Sequence, residues 1–596
     1  MFNTRGWILL ALLSVCALPA MAQSFRVQCP TSTITHPSAA ANNSEPAYTA
    51  PTALVCTVAN GCGGTAGNVG YLVPSGGANG AIKCQQISGG DGYSTMADGT
   101  QTFMFSFGPL SGLADIAAGK TDGSYNANAG TEYPSVFNTV YSDTNPNPIS
   151  PGDPATTNGA TDAGAYSVGT PGKFAYNGAV GLVPDADAIA NGICAAPCLD
   201  GHVDPRQIMD VGVMNGNIPA PLMAFDEDDE FFLTLTNVGM IMRPDLFEQH
   251  TVHFHGYPNA SSFYDGVPDA SVAINIGGSF TYYYLAPDAG TYFWHCHITP
   301  PEHLQMGMVG QLYVRPRQDR VPPTNSLYTA LQLQNGQVAG QVVDLRTACN
   351  PNADILCSAV TPAVNTGAVQ STYPATAGAN GAPHPNAGKN YMYAYNDGDG
   401  STQYDVEYPI QMHDFDPNFH FVGMTFNPEA FADMKDKYFL LNGRSYPDTV
   451  NPGPQLTQSS DGRVHYSQPM PTIINIPQGG KALLRVSNLS VDDYHTLASL
   501  GVKMHVIGWN AKLLRDQEGN NTEYWANSIT LGGGESMDLI LDTCMNRQAF
   551  DNCTPNTTTG TAPIPTGTYY LYTPNLDQLS NDAENFGGMM TEVHVY

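Results

Sequence analysis

The chain has 596 residues, of which 42% are hydrophobic and 12% charged, enough for two to four packed domains and too apolar for a disordered chain. A formal net charge of −30 argues against nucleic acid or an anionic membrane surface as partner and favours cations. The 61 glycines and 45 prolines suit a loop-rich β protein better than a helical bundle.

Residues 1–22 read as a secretory signal peptide. Arg5 supplies the positive end, Trp7 to Leu18 the apolar run, and Ala20-Met21-Ala22 the small-residue cleavage site. The apolar run is short for a membrane span and no second candidate follows, so a secreted or periplasmic protein is expected. Of twelve cysteines, Cys16 leaves with the signal and Cys296 stands inside a histidine motif. The other ten are expected to form disulfides in an oxidising compartment. Cys194–Cys198, Cys349–Cys357 and Cys544–Cys553 are natural local pairs, while Cys29, Cys56, Cys62 and Cys84 leave three pairings open.

Residues 23–204 form a loop-rich, disulfide-bonded extension whose clearest strand is Thr100-Gln-Thr-Phe-Met-Phe-Ser-Phe. We expect it to decorate the domain that follows and to donate a strand to it. Residues 205–316 carry short strands at 231–236, 271–276, 280–285 and 309–314. Between them lie His250-Thr-Val-His253-Phe-His255-Gly256 and Gly290-Thr-Tyr-Phe-Trp-His295-Cys296-His297. After five intervening residues come His303 and then Gly307-Met308.

Strand side chains alternate between faces. His295 and His297 therefore share a face and Cys296 points away, while His253 and His255 share a face and His250 does not. The residues sort into two sets. His250, Cys296, His303 and Met308 supply two imidazoles, a thiolate and a thioether, the donors of a blue (type 1) copper centre. His253, His255, His295 and His297 supply four imidazoles for further copper, joined to the first set through the backbone of Cys296. A single His-x-His carries little weight; six histidines, a cysteine and a methionine in strand register carry much more.

Residues 317–400 read as a Pro/Gly/Asn-rich linker, and 401–596 as a repeat of the copper domain. Gly567-Thr-Tyr-Tyr-Leu-Tyr-Thr-Pro matches the Gly290 segment, and Gly588-Met589 matches Gly307-Met308. His505-Val-Ile-Gly508 is aligned with His253-Phe-His-Gly256, which puts Ile507 at His255, Val502 at His250 and Glu584 at His303. On this alignment His505 alone survives of the histidine and cysteine ligands.

At these motifs, and at Asn215-Gly-Asn-Ile-Pro-Ala-Pro-Leu and Asp265-Gly-Val-Pro, the chain resembles the multicopper oxidase family. The resemblance implies an all-β fold of two Greek-key, cupredoxin-like sandwiches, copper as cofactor, and type 1 ligands in the first domain. Five residues separate His297 from His303, where family members usually have three. A full oxygen-reducing cluster of the family kind takes four His-x-His pairs, and this chain has two.

The expected function is an exported copper oxidoreductase. It would take electrons from a metal ion or small phenol at the type 1 copper, with Cys296 as conduit and Glu302 as carboxylate at the entry edge. The alternatives are a type 1 copper electron-transfer protein serving a redox partner protein, or a non-catalytic surface or filament component. A homo-oligomer is compatible with each.

Overall fold

In a computed structural model the described residues are 80–109, 218–330 and 368–596, the last two with short breaks, and a few isolated pieces before residue 75. The signal-peptide stretch, Cys194–Cys198 and Cys349–Cys357 lie outside them. Cys544 and Cys553 are joined by a disulfide.

The first sandwich contains β1 (Ile82–Thr95), β2 (Gln101–Pro109), β3 (Met223–Asp226), β4 (Glu230–Gly239), β5 (His253–Phe254), β6 (Ser279–Leu285), β7 (Gly290–His295) and β8 (Val309–Arg315). One sheet runs β2-β1-β4-β6 and the other β3-β8-β7-β5. The upstream region thus donates two strands rather than one, with β1 parallel to β4 and Ile82 opposite Glu230. Alternation builds the core. Tyr282 and Tyr284 of β6, Phe105 and Phe107 of β2, and Trp294 of β7 are all buried in one cluster spanning both sheets.

The second sandwich repeats the plan. Its strands are β9 (Val406–Phe415), β10 (Tyr438–Leu441), β11 (Ile474–Ile476), β12 (Lys481–Asn488), β13 (His495–Leu500), β14 (Lys503–Trp509), β15 (Tyr524–Ala526), β16 (Ser528–Leu531), β17 (Ser536–Asp542), β18 (Gly567–Tyr572) and β19 (Met590–Val595). The order β10-β9-β12-β17 mirrors β2-β1-β4-β6, and β11-β19-β18-β13 mirrors β3-β8-β7-β5. Each parallel pair of the first sandwich recurs in the second. The fold is all-β, two cupredoxin-like sandwiches, as expected.

Charge and hydrogen bonds fasten the two together. Arg485 lies 2.6 Å from Glu407, which also takes Arg315 at 2.8 Å. Thr291 Oγ1 donates to Asp538 at 2.6 Å, and Gln311 Nε2 donates to the Arg485 carbonyl at 2.9 Å and to Ser487 Oγ at 2.7 Å. All of these groups except Arg315 are buried, where an unpaired charge would cost several kcal/mol.

Candidate copper centres

β7 ends at His295 and the chain leaves the sheet through Cys296. Thr299 then takes a left-handed backbone and α1 (Pro300–Gln305) begins. Proline is tolerated in a first helical turn because its missing N–H would have no partner there. The residues that lengthen the spacing to His303 thus become one helical turn, which drops His303 back beside Cys296.

His250, Cys296, His303 and Met308 are all fully buried. One ligand atom from each of His250, Cys296 and His303 lies within 4.8 Å of the others. His303 Nδ1 is 3.2 Å from Cys296 Sγ, and the Thr251 N–H points at the same sulfur at 3.4 Å. Met308 is tied in through its backbone, its carbonyl accepting from Cys296 N at 3.1 Å and its N–H donating to the His303 carbonyl at 2.8 Å. Neither ring nitrogen of His250 has a hydrogen-bond partner. Such an orphaned buried group is costly unless something binds it. The donor set and this orphan fit copper.

Two upstream residues wall the pocket. The Phe105 ring meets His303 edge-on at 5.1 Å. Gly89 lies against His250, and a Cβ there would come within 2.5 Å of the imidazole Cδ2. Burial, then the neighbouring His303, lowers the His250 pKa well below its usual value, keeping the ring neutral. Burial also works against a charged His303, but Cys296 and Glu248 outweigh it and push its pKa up to about 10. Glu248 Oε2 is 3.5 Å from His303 Nε2. Glu302 sits in the first turn of α1, half-buried, while Glu248 is the carboxylate that faces the ring. Sequence reasoning missed Glu248, although it stands two residues before His250.

The second set lies on the sheet's other face. His253 pairs directly with His295 across β5 and β7. Ligand atoms of His253, His255 and His295 fall within 4.8 Å of one another, with His255 Nε2 3.0 Å from His295 Nε2. The His297 ring is 4.9 Å from that of His253. The Asp265 carbonyl takes His253 Nδ1 at 2.7 Å and the Cys296 carbonyl takes His295 Nδ1 at 2.6 Å, which leaves each Nε2 for a ligand. Metal-binding histidines are oriented in this way. Burial, then His253, lowers the His255 pKa to about 4, so the ring is neutral and competent to bind metal at neutral pH. Gly534 of the second sandwich packs on His255, where a Cβ would be 3.0 Å from Nδ1.

The second sandwich corrects the alignment read from sequence. Tyr572 pairs with Ala498, as His295 pairs with His253. His250 therefore corresponds to His495, not Val502, and His255 to Leu500, not Ile507. His505 lies on β14, in the other sheet, stacked on Trp525 at 4.6 Å and 3.1 Å from Glu523. Gln578, not Glu584, takes the place of His303. Its Oε1 lies 3.2 Å from both Thr573 Oγ1 and His495 Nδ1, its Nε2 3.4 Å from Asp493, and its carbonyl accepts from Met589 N at 3.1 Å. Thr573 N donates to the Met589 carbonyl at 3.0 Å, as Cys296 N does to that of Met308. His495 and Met589 thus survive in place, and a glutamine bridges the residues around it. The remaining candidates join neither copper group: His413 Nε2 is 3.3 Å from the Leu304 carbonyl, and His420 faces the carbonyls of Phe103 and Gln305 at 2.6 and 2.9 Å.

Comparison with known proteins bears on the first sandwich. Residues 200–319 match the family model described as multicopper oxidase. The multicopper oxidase MCE of Talaromyces pinophilus is 34% identical over 112 residues, 18% of this chain and 17% of that protein. Laccase-1 of Emericella nidulans is 35% identical over 125 residues, 20% of this chain and 18% of that protein. The chain therefore spans under a fifth of the length of these relatives. Among solved structures, the blue copper oxidase of Nitrosomonas europaea is 19% identical with a TM-score of 0.37, covering 64% of this chain and 78% of that one.

Proposed function

We propose that the chain, whose residues 200–319 match the multicopper oxidase family model, is a copper oxidoreductase that takes electrons from a small reductant at the His250/Cys296/His303/Met308 site and delivers them to the four-histidine face. Copper held there supplies one-electron transfer. The protein's share is to keep His250 neutral and buried, to hold the Cys296 sulfur, and to run a covalent path from Cys296 into His295 and His297. Glu248 and Glu302 give the entry edge its negative charge, which suits a metal ion or a phenol as reductant. An exported location follows from residues 1–22.

The observation that carries the reading is the pair of ligand groups, each within 4.8 Å, joined by consecutive residues 295–297. A second reading is a type 1 copper electron-transfer protein without oxidase turnover. It is favoured by the second sandwich, where Ala498, Leu500, Tyr572 and Pro574 stand at the positions of the four histidines. Copper per chain, with visible and electron-spin spectra, separates the two. Three or four coppers with a second class of signal support the oxidoreductase; one copper with an intense thiolate band overturns it.

A further inference from the structure

Next to α1, on the side of the second sandwich, a group of carboxylates has no part in the copper sites. One ligand oxygen from each of Asp414, Asp436 and Asp492 lies within 4.8 Å of the others. They come from β9, from the segment before β10, and from the turn between β12 and β13. Asp414 is fully buried, Asp436 half-buried and Asp492 exposed, so the group runs from the interior to solvent.

Like charges this close repel: two unit charges 4 Å apart near a protein surface interact by about 4 kcal/mol. Among the described residues no lysine or arginine forms an ion pair with any of the three. Two histidines approach, both at Asp414: His495 Nε2 at 2.9 Å from Oδ2, and His413 Nδ1 at 3.9 Å from Oδ1. His413 is 1% exposed, its Nδ1 has no hydrogen-bond partner, and neither does Asp414 Oδ1. A separation of 3.9 Å is too long for a hydrogen bond between them, yet ordinary for two ligands of one ion. One buried oxygen of Asp436 is unsatisfied as well.

We propose that Asp414, Asp436 and Asp492 form a binding site for a divalent cation of the oxygen-preferring class, such as Mn2+ or Ca2+, with His413 Nδ1 beside it. The site also touches the copper helix. Asp436 Oδ1 accepts from Gln305 Nε2 at 2.8 Å, and His413 reaches the Leu304 carbonyl. A cation here would tie the second sandwich to the turn that delivers His303.

The test is equilibrium dialysis of the full, copper-loaded chain against Mn2+, followed by metal analysis. One Mn2+ per chain is expected, displaced by excess Ca2+. Asp436→Asn and Asp492→Asn should each weaken binding at least tenfold while copper content and blue colour stay. Because a bound ion stabilises only the folded state, Mn2+ should raise the unfolding temperature of the wild type and not of Asp492→Asn. No Mn2+ held at millimolar concentration, or equal binding by both variants, would overturn the site.

Discussion

In the first sandwich His303 approaches the Cys296 sulfur at 3.2 Å with one nitrogen and faces Glu248 at 3.5 Å with the other. In the second, Gln578 approaches Thr573 Oγ1 at 3.2 Å with its oxygen and faces Asp493 at 3.4 Å with its nitrogen. The side chains around these contacts correspond one for one, but the chemistry does not. Burial keeps His250 neutral, as a metal ligand must be. Its counterpart His495 is also buried, but Asp414 outweighs the burial and raises its pKa, so the ring tends to hold a proton. A metal centre can thus be replaced by hydrogen bonds without dismantling the strands that held it.

The most severe break of this comparison is Cys296→Ser, which should abolish the blue absorption, whereas Thr573→Ser at the matching position should leave it unchanged. A Cys296→Ser protein that stays blue would refute the ligand assignment. Next, His255→Ala should keep the blue band and reduce oxygen consumption with Fe(II), Mn(II) or a phenol to background. Unaltered turnover would remove the four-histidine face from the function.

Rebuilding the second site is a finer probe. Thr573→Cys combined with Gln578→His restores two imidazoles, a thiolate and Met589, and should bind one further copper with a second thiolate band. Copper content equal to that of the wild type would mean the correspondence is geometric only.

The smallest effect is on pH. His495 has a folded pKa above its unfolded value, so its pairing with Asp414 contributes stability that is complete below about 6.5 and is lost as pH rises through the folded pKa. The unfolding free energy of the wild type should therefore fall as pH rises above about 6.5. Asp414→Asn should make that fall shallower, leaving the share due to His303, and cost about 3–5 kcal/mol at pH 6, by stranding a buried charge. Equal slopes in urea titrations of the two proteins would assign the pH dependence elsewhere.

Much of the copper domain was legible because strand parity is a one-dimensional rule. Once His253, His255, His295 and His297 are placed on strands, period two alone separates them from His250 and Cys296. The second site was not legible in the same way. A four-letter likeness drew the alignment to His505, but β14 belongs to a hairpin added to the far edge of the other sheet. The true counterpart, His495, has kept its place in the fold without its motif, because Ala498 and Leu500 replace the histidines that mark it. Gln578 stands five residues after Thr573 where His303 stands seven after Cys296, so no fixed spacing connects them. Cross-strand hydrogen bonds between chemically unlike residues leave no periodic trace.

Phe105 and Gly89, which wall the first copper pocket, precede its nearest ligand by well over a hundred residues. β2, which carries Phe105, pairs with β1, and β1, which carries Gly89, pairs with β4, Ile82 opposite Glu230. A ribosome reading from the N-terminus finishes this wall long before the ligands exist, and closing so long a loop is slow. Assembly of the pocket must therefore wait for the chain to emerge at least as far as Met308. Until β4 emerges, β1 lacks the partner for its open edge, and a strand edge without its partner invites aggregation. Quality control during synthesis would act on that interval.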